Sequence, residues 1–194
     1  MDGIAYVWYF LFTFFIFGII GWVIEQLYCL AMTGHVQQQG FLQGPLKPMY
    51  AIAMSVLILL SDTFSLSTLG LLLACAIIPT TVEYLAGLLT RHVFHQDYWD
   101  YSKLKFNFQG LICIQFSIYW TFLTFMGVRY FQPYIMIPVY KQIFPYWFVL
   151  CPFVLMTFFL DEVLTIRQFY LKNDTIKETH QLEEDFNAGR DTYL

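Results

Sequence analysis

Two glutamates, Glu25 and Glu83, each sit inside a run of apolar residues long enough to cross a lipid bilayer. A carboxylate there is costly unless it faces protein, water or a cation, so it marks a functional position by default. The chemistry open to it is binding of a proton, a cation or a cationic group. Asp100, in Tyr98-Trp99-Asp100-Tyr101-Ser102, offers a third carboxylate on the side toward which both glutamates point. His35, His92 and His95 could add acid, base or metal-ligand functions, and His92 and His95 are spaced to share a helix face. Neither HExxH nor a compact nucleophile signature accompanies them. We therefore expect no metal and no cofactor, and the enzyme reading carries less weight than transport.

The elements that must position these acids follow from composition. Apolar residues form 58% of the 194 and charged residues only 12%, half the share of a soluble domain, so lipid is the expected solvent. No charge falls in residues 3–24, 106–128 or 142–160, each close to the roughly 20 residues a spanning helix needs. Residues 49–82 carry only Asp62, and as one helix they would run ~50 Å, too long for a bilayer. A break at Ser61-Asp62-Thr63 gives one short helix over 48–61 and a longer one over 66–90. The expectation is an all-α, polytopic transmembrane helix bundle of about five spans. Residues 1–172 form the membrane domain and 173–194 an acidic tail. The first run lacks a basic n-region and a small-residue cleavage site and reads as a retained helix.

With five spans, eight of the ten Lys and Arg fall on one side and two, Arg129 and Lys141, on the other. The positive-inside bias places the N-terminus outside and the C-terminus in the cytoplasm. Helices one, three and five would then run inward and gather Glu25, Glu83 and the pair Asp161 and Glu162 at one depth, where headgroup hydration is the plain alternative. From Asp174 onward six acids face two bases, accounting for the net charge of −4 and weighing against nucleic acid as a partner. Cys29, Cys75, Cys113 and Cys151 form no CxxC pair and read as small buried apolar residues.

Two loops carry the densest signals. Gly40, Gly44, Pro45 and Pro48, with Tyr50 just beyond, impose an irregular backbone of the kind tolerated at membrane depth only against protein or a cavity. It reads as a re-entrant turn or as a tight loop starting a helix at Pro48. In the other loop Trp99 and its tyrosine neighbours suit the interface, and Asn107 suits a helix start. Pro79 lies four residues before Glu83 on the same face and frees the Cys75 carbonyl. Tyr130 to Tyr140, with Pro133 and Pro138, is too short and too broken to span and is expected to lie at the outer interface. Gly18, Gly21, Gly87 and Gly110 are candidate close-contact points.

The set Gly21-Trp22-Val23-Ile24-Glu25, Gly40-Phe41-Leu42-x-Gly44-Pro45-x-x-Pro48-x-Tyr50, Glu83-Tyr84, Trp99-Asp100-Tyr101-Ser102 and Phe106-Asn107-x-x-Gly110 resembles a family of small bacterial integral membrane proteins. That family is labelled putative ABC-transporter permease, and the resemblance covers roughly residues 10–130. It implies a multi-pass protein of the bacterial cell membrane. It also joins Glu25, Glu83, Asp100, Tyr101 and Asn107 into one substrate- or ion-binding site. The chain departs from the family pattern at Gln39, Arg91 and Leu111, where members tend to carry Arg, Glu and Arg, and so lacks a charge network they would share.

Three functions follow. The first is a permease for a small solute or ion. The chain holds no GxxxxGK[ST] phosphate loop, so in an ABC system a separate ATPase subunit must bind it, and its small size favours a homo-oligomer. The second is an intramembrane enzyme on a lipid-linked or peptide substrate. The third is an accessory or scaffold subunit, which the missing family charges favour.

Overall fold

The computed structural model describes residues 3–36, 42 and 44–191, with side chains as far as Leu171. Gly40 of the predicted turn and the side chains of the acidic tail lie outside the described residues. The chain order is α1 (Gly3–Thr33), α2 (Pro48–Phe64), α3 (Thr68–Val93), a two-stranded hairpin of β1 (Asn107–Phe108) and β2 (Ile112–Cys113), α4 (Ile114–Met126), a π-helical segment (Gly127–Met136) and α5 (Ile137–Asp191). The protein is thus mostly helical, with one small hairpin that the all-α expectation omitted. Among the described residues, three helical stretches are long and apolar enough to cross a membrane: α1, α3 and the continuous Ile114–Leu171. The apolar α2, at 17 residues, is shorter.

Outward faces explain why these helices need lipid. Leu73, Ile77, Leu85 and Leu89 on α3 are more than half exposed, as are Phe148, Phe153 and Phe159 on α5. Contiguous apolar surface of this extent is foreign to a water-soluble monomer. In a bilayer it is the expected exterior.

Local chemistry sets the helix ends. Pro48 opens α2, where its fixed φ is already helical and its missing N–H costs nothing. The helix ends on Ser65 in the left-handed region (φ 45°), and Ser67 caps α3 by accepting from the Gly70 amide at 3.1 Å. The break therefore falls later than Ser61-Asp62-Thr63. Asp62 remains helical, and its carboxylate accepts from the Tyr6 hydroxyl at 3.4 Å.

Two expectations need correction. The fourth helix starts at Ile114, because Gln109 (φ 55°) and Gly110 (φ +73°) reverse the chain and pair Asn107 with Cys113 and Phe108 with Ile112. Asn107 is therefore not at a helix start. Its side chain donates to the carbonyls of Ser102 and Leu104 and accepts from the Gly110 amide at 3.1 Å, pinning the loop. The second correction concerns the break expected at the prolines of Tyr130 to Tyr140, a stretch that is helical throughout. Pro133 removes one amide from the ladder, and the wider π register absorbs the defect without ending the helix.

The order of contacts shows that this long helical stretch nevertheless turns back. Phe116 meets Tyr28, Phe131 meets Phe17 and Tyr140 meets Tyr9, running antiparallel to α1. Trp147 then meets Phe12, Phe158 meets Phe14, and Phe169 meets Phe94 at the far end of α3. The main core lies at the turning end, where Phe12, Phe15, Leu57, Leu71, Trp147 and Cys151 pack. Gln132 there donates to the buried Tyr9 hydroxyl.

Gly110 is a position where glycine is required. A Cβ there would meet the Asp100 Oδ1 at 2.8 Å in a positive-φ conformation that L-residues avoid. Gly110→Ala is expected to lower unfolding stability by about 1–2 kcal/mol and to loosen the hairpin. Hydrogen exchange at the Tyr101 and Leu111 amides is the measurement; unchanged protection counts against the assignment.

Candidate functional site

Glu83 borders the core, sharing a cavity with its members Phe17 and Met54, and the first loop reaches Glu25. Gly44 donates its amide to the Asp161 Oδ2 at 3.0 Å, and Lys47 donates its amide to the Gly18 carbonyl at 3.2 Å. Leu42 is buried. The described part of this loop is therefore backbone held against protein, and Pro45 lies on its exposed side. Gly18 faces Leu46 and Ala51, so α1 offers little side-chain volume where the loop crosses it.

Docked in this way, the loop delivers Lys47 to Glu25. The ammonium donates to Glu25 Oε1 at 3.0 Å, and the Tyr50 hydroxyl donates to Oε2 at 3.0 Å. Both carboxylate oxygens are used, and the ion pair is largely shielded from solvent. The sequence reads Lys47 only as a loop charge; it is the single Lys or Arg between Glu25 and Glu83, which is the available signal. We expect a double-mutant cycle of Lys47→Met and Glu25→Gln to show coupling of about 1–2 kcal/mol in detergent unfolding, with Lys47→Met alone the worse single variant. Additive effects would remove the pair from the account.

Glu83 is more deeply placed, at 2% exposure. Its Oε1 accepts from the Tyr101 hydroxyl at 3.0 Å, while Oε2 has no hydrogen-bond partner among the described residues. The Trp120 indole N–H lies beside this carboxylate without reaching hydrogen-bond geometry. Burial and the Glu83 charge hold the Tyr101 phenol well above its ordinary pKa, so it stays a donor. Pro79, one turn before Glu83, lines the same cavity.

The other predicted residues hold the loop that presents Tyr101. Asp100 accepts from the Ser102 amide at 2.8 Å and from its hydroxyl at 2.9 Å, and these bonds keep its carboxyl below the usual range. It is exposed and spends its oxygens on the turn, so the structure does not bring it to the two glutamates. Trp99 donates its indole N–H to the Leu111 carbonyl at 2.8 Å, and its ring and Leu111 cover Gly87, where a Cβ would not fit. Two of the family-divergent positions also have structural partners: Arg91 binds Asp97 at 2.8 Å and the Gln109 carbonyl at 3.0 Å, and Leu111 is buried.

The histidines do not assemble. His92 sits in the last turn of α3 with its Nδ1 against the Leu88 carbonyl, whereas His95 lies beyond the helix end at φ 50°, so the two share no helix face. No group of three metal-ligating side chains occurs among the described residues.

Two cavities flank the polar centre. One, of about 570 Å³, lies among α1, α2, α3, α4 and the π segment and is lined by Glu83. The other, of about 1200 Å³, contains Glu25, Lys47, Tyr101 and Glu162. Tyr50 and Trp120, whose ring centroids are 4.7 Å apart, line both, together with Ile24, Met49, Val82 and Leu123. Trp120 had no sequence signal, being one aromatic in an uncharged run. A family model described as putative ABC-transporter type IV matches residues 12–166. The chain belongs to this family. It is accordingly a membrane protein related to transport. The family match takes in the whole polar centre and extends into α5, well past residue 130, to which the motif resemblance reaches. No curated protein and no solved structure matches the chain.

Proposed function

We propose that this chain is a permease-like protein that moves a small solute or ion through the centre formed by Glu25, Lys47, Tyr50, Tyr101 and Glu83. One observation carries the reading: a buried carboxylate with an unused oxygen, beside aromatic residues that line two cavities. A residue kept only for packing would not be ionisable, because burying an unsatisfied carboxylate opposes folding. Tyr50 lines both cavities and its hydroxyl is tied to Glu25, so charge at Glu25 and the position of Tyr50 are coupled.

The chain crosses the membrane about five times, with the N-terminus outside, the C-terminus cytoplasmic and residues 173–194 as a cytoplasmic tail. The distribution of Lys and Arg supports this orientation. A separate ATPase binds the cytoplasmic loops or tail, and the chain self-associates in a bacterial cell membrane. Asp100 and Asn107 contribute by holding Tyr101 on Glu83.

The test is flux into proteoliposomes containing the chain and the ATPase that co-purifies with it in mild detergent. Protons are read with an entrapped pH dye, and rubidium and phenethylammonium as labelled solutes. At least one is expected to move faster than in protein-free vesicles, and Glu83→Gln is expected to remove that flux at unchanged membrane insertion. Equal leakage with and without protein for all three refutes the reading, and so does unchanged flux in the variant.

A further inference from the structure

The cavity at Glu83 has an unusual wall. Among the described residues Glu83 is the only charged one lining it, and the rest of the lining is almost wholly apolar or aromatic, including Phe17, Tyr50, Trp120 and Phe131. Three hydroxyls near the carboxylate donate elsewhere or to its other oxygen: Tyr50 to Glu25, Tyr101 to Glu83 Oε1, and Thr124 to the Trp120 carbonyl; the Trp120 indole N–H lies beside Glu83 without a partner among the described residues. Glu83 Oε2 has no partner among the described residues, and Glu83 borders a space of about 570 Å³.

That inventory discriminates between ligand classes. A bare inorganic cation must replace its hydration shell with about six oxygens, and the almost wholly apolar and aromatic lining of this cavity supplies few. An organic ammonium brings its own apolar surface, needs a single counter-charge and gains from aromatic faces around it. Its apolar body replaces water along walls that could not solvate a metal ion. We propose that the cavity beside Glu83 is a binding site for an amphipathic organic cation, with the cationic nitrogen on Glu83 Oε2 and the apolar body among Phe17, Trp120 and Phe131. This rests on the reading of Glu83 as the functional carboxylate and names the ligand class for it. It does not depend on flux.

The experiment is equilibrium binding of labelled phenethylammonium to the purified full chain in detergent, without ATPase or a membrane gradient. Saturable binding is expected, weakened at least tenfold in Glu83→Gln. The neutral 2-phenylethanol and sodium or potassium salts at matched ionic strength should compete at least tenfold less well than unlabelled phenethylammonium. A second variant separates loss of the site from loss of the fold. Gly127 lines the cavity, and a Cβ there meets only the terminal methyl and sulfur of the flexible Met54 side chain, so Gly127→Leu adds bulk to the wall while leaving Glu83 itself in place. It should abolish binding while leaving the elution profile and the Lys47 to Glu25 coupling unchanged.

No saturable binding to wild type overturns the proposal, as does equal affinity in Glu83→Gln or displacement by sodium or potassium as effective as by phenethylammonium. Binding without flux leaves this site standing and removes the transport reading; flux of rubidium or protons without amine binding does the reverse.

Discussion

Glutamine at position 83 is expected to cut flux at least tenfold, about 1.4 kcal/mol or more in barrier terms, while leaving thermal stability unchanged or raised by up to ~1 kcal/mol. The opposed signs follow from the site. The Tyr101 hydroxyl, which donates to Glu83 Oε1 at 3.0 Å, can donate equally to an amide oxygen, so the one bond that orders this side chain survives. What disappears is the negative charge and the free acceptor Oε2, which are costly in the folded bundle and useful only to a ligand. Activity gained at the expense of stability is the usual mark of a functional residue. Melting monitored by size-exclusion chromatography in detergent, run beside the flux assay, separates the cases. Parallel loss of both would make Glu83 a structural residue and sink the central claim.

Gly21→Leu is expected to cost about 3 kcal/mol and to misplace Tyr50. A Cβ at Gly21 would run directly into the Tyr50 ring, and this ring cannot yield easily. Its hydroxyl is held by Glu25 at 3.0 Å, and its face lies 4.7 Å from the Trp120 ring. Overpacking at such a contact forces α1 and α2 apart, and with them the Lys47 to Glu25 pair. Even Gly21→Ala should destabilise, whereas Gly3→Ala, with open space around it, should not. Combined with Tyr50→Ala, the Gly21→Ala effect should shrink by at least ~1 kcal/mol, because the clashing ring is gone. Full additivity would mean that the close approach of α1 and α2 is not what Gly21 supplies.

Legibility varied with how local the deciding physics is. Pro48, Ser65 and Ser67 act within a turn of their own positions, so the boundary between α2 and α3 was readable to within a few residues. Gly110 was readable only as a small residue: the hairpin depends on Gln109 and Gly110 both taking positive φ, which no periodicity announces. The π segment escaped for a similar reason. Proline says where a helix ladder is damaged, but neighbouring packing decides whether the chain breaks, kinks or widens, and here Phe131 against Phe17 and Gln132 against Tyr9 keep it helical. Asp100 shows the opposite failure. As a sequence feature it was a carboxylate available to a ligand; in the fold Ser102, two residues on, consumes both oxygens.

By itself the sequence determined the solvent, the helical character, the family and the two positions where charge enters apolar helices. Those properties depend on composition and on short-range pattern, and lipid punishes deviations from them at every residue. Tertiary structure alone decided what the two carboxylates face. Glu25 meets Lys47 and Tyr50, 22 and 25 residues away, and has no free oxygen; Glu83 meets Tyr101 across a loop and keeps one. Both began as equivalent acids in apolar runs. They differ because the loop crossing at Gly18 delivers a cation to one and none to the other, and only packed helices can fix that delivery.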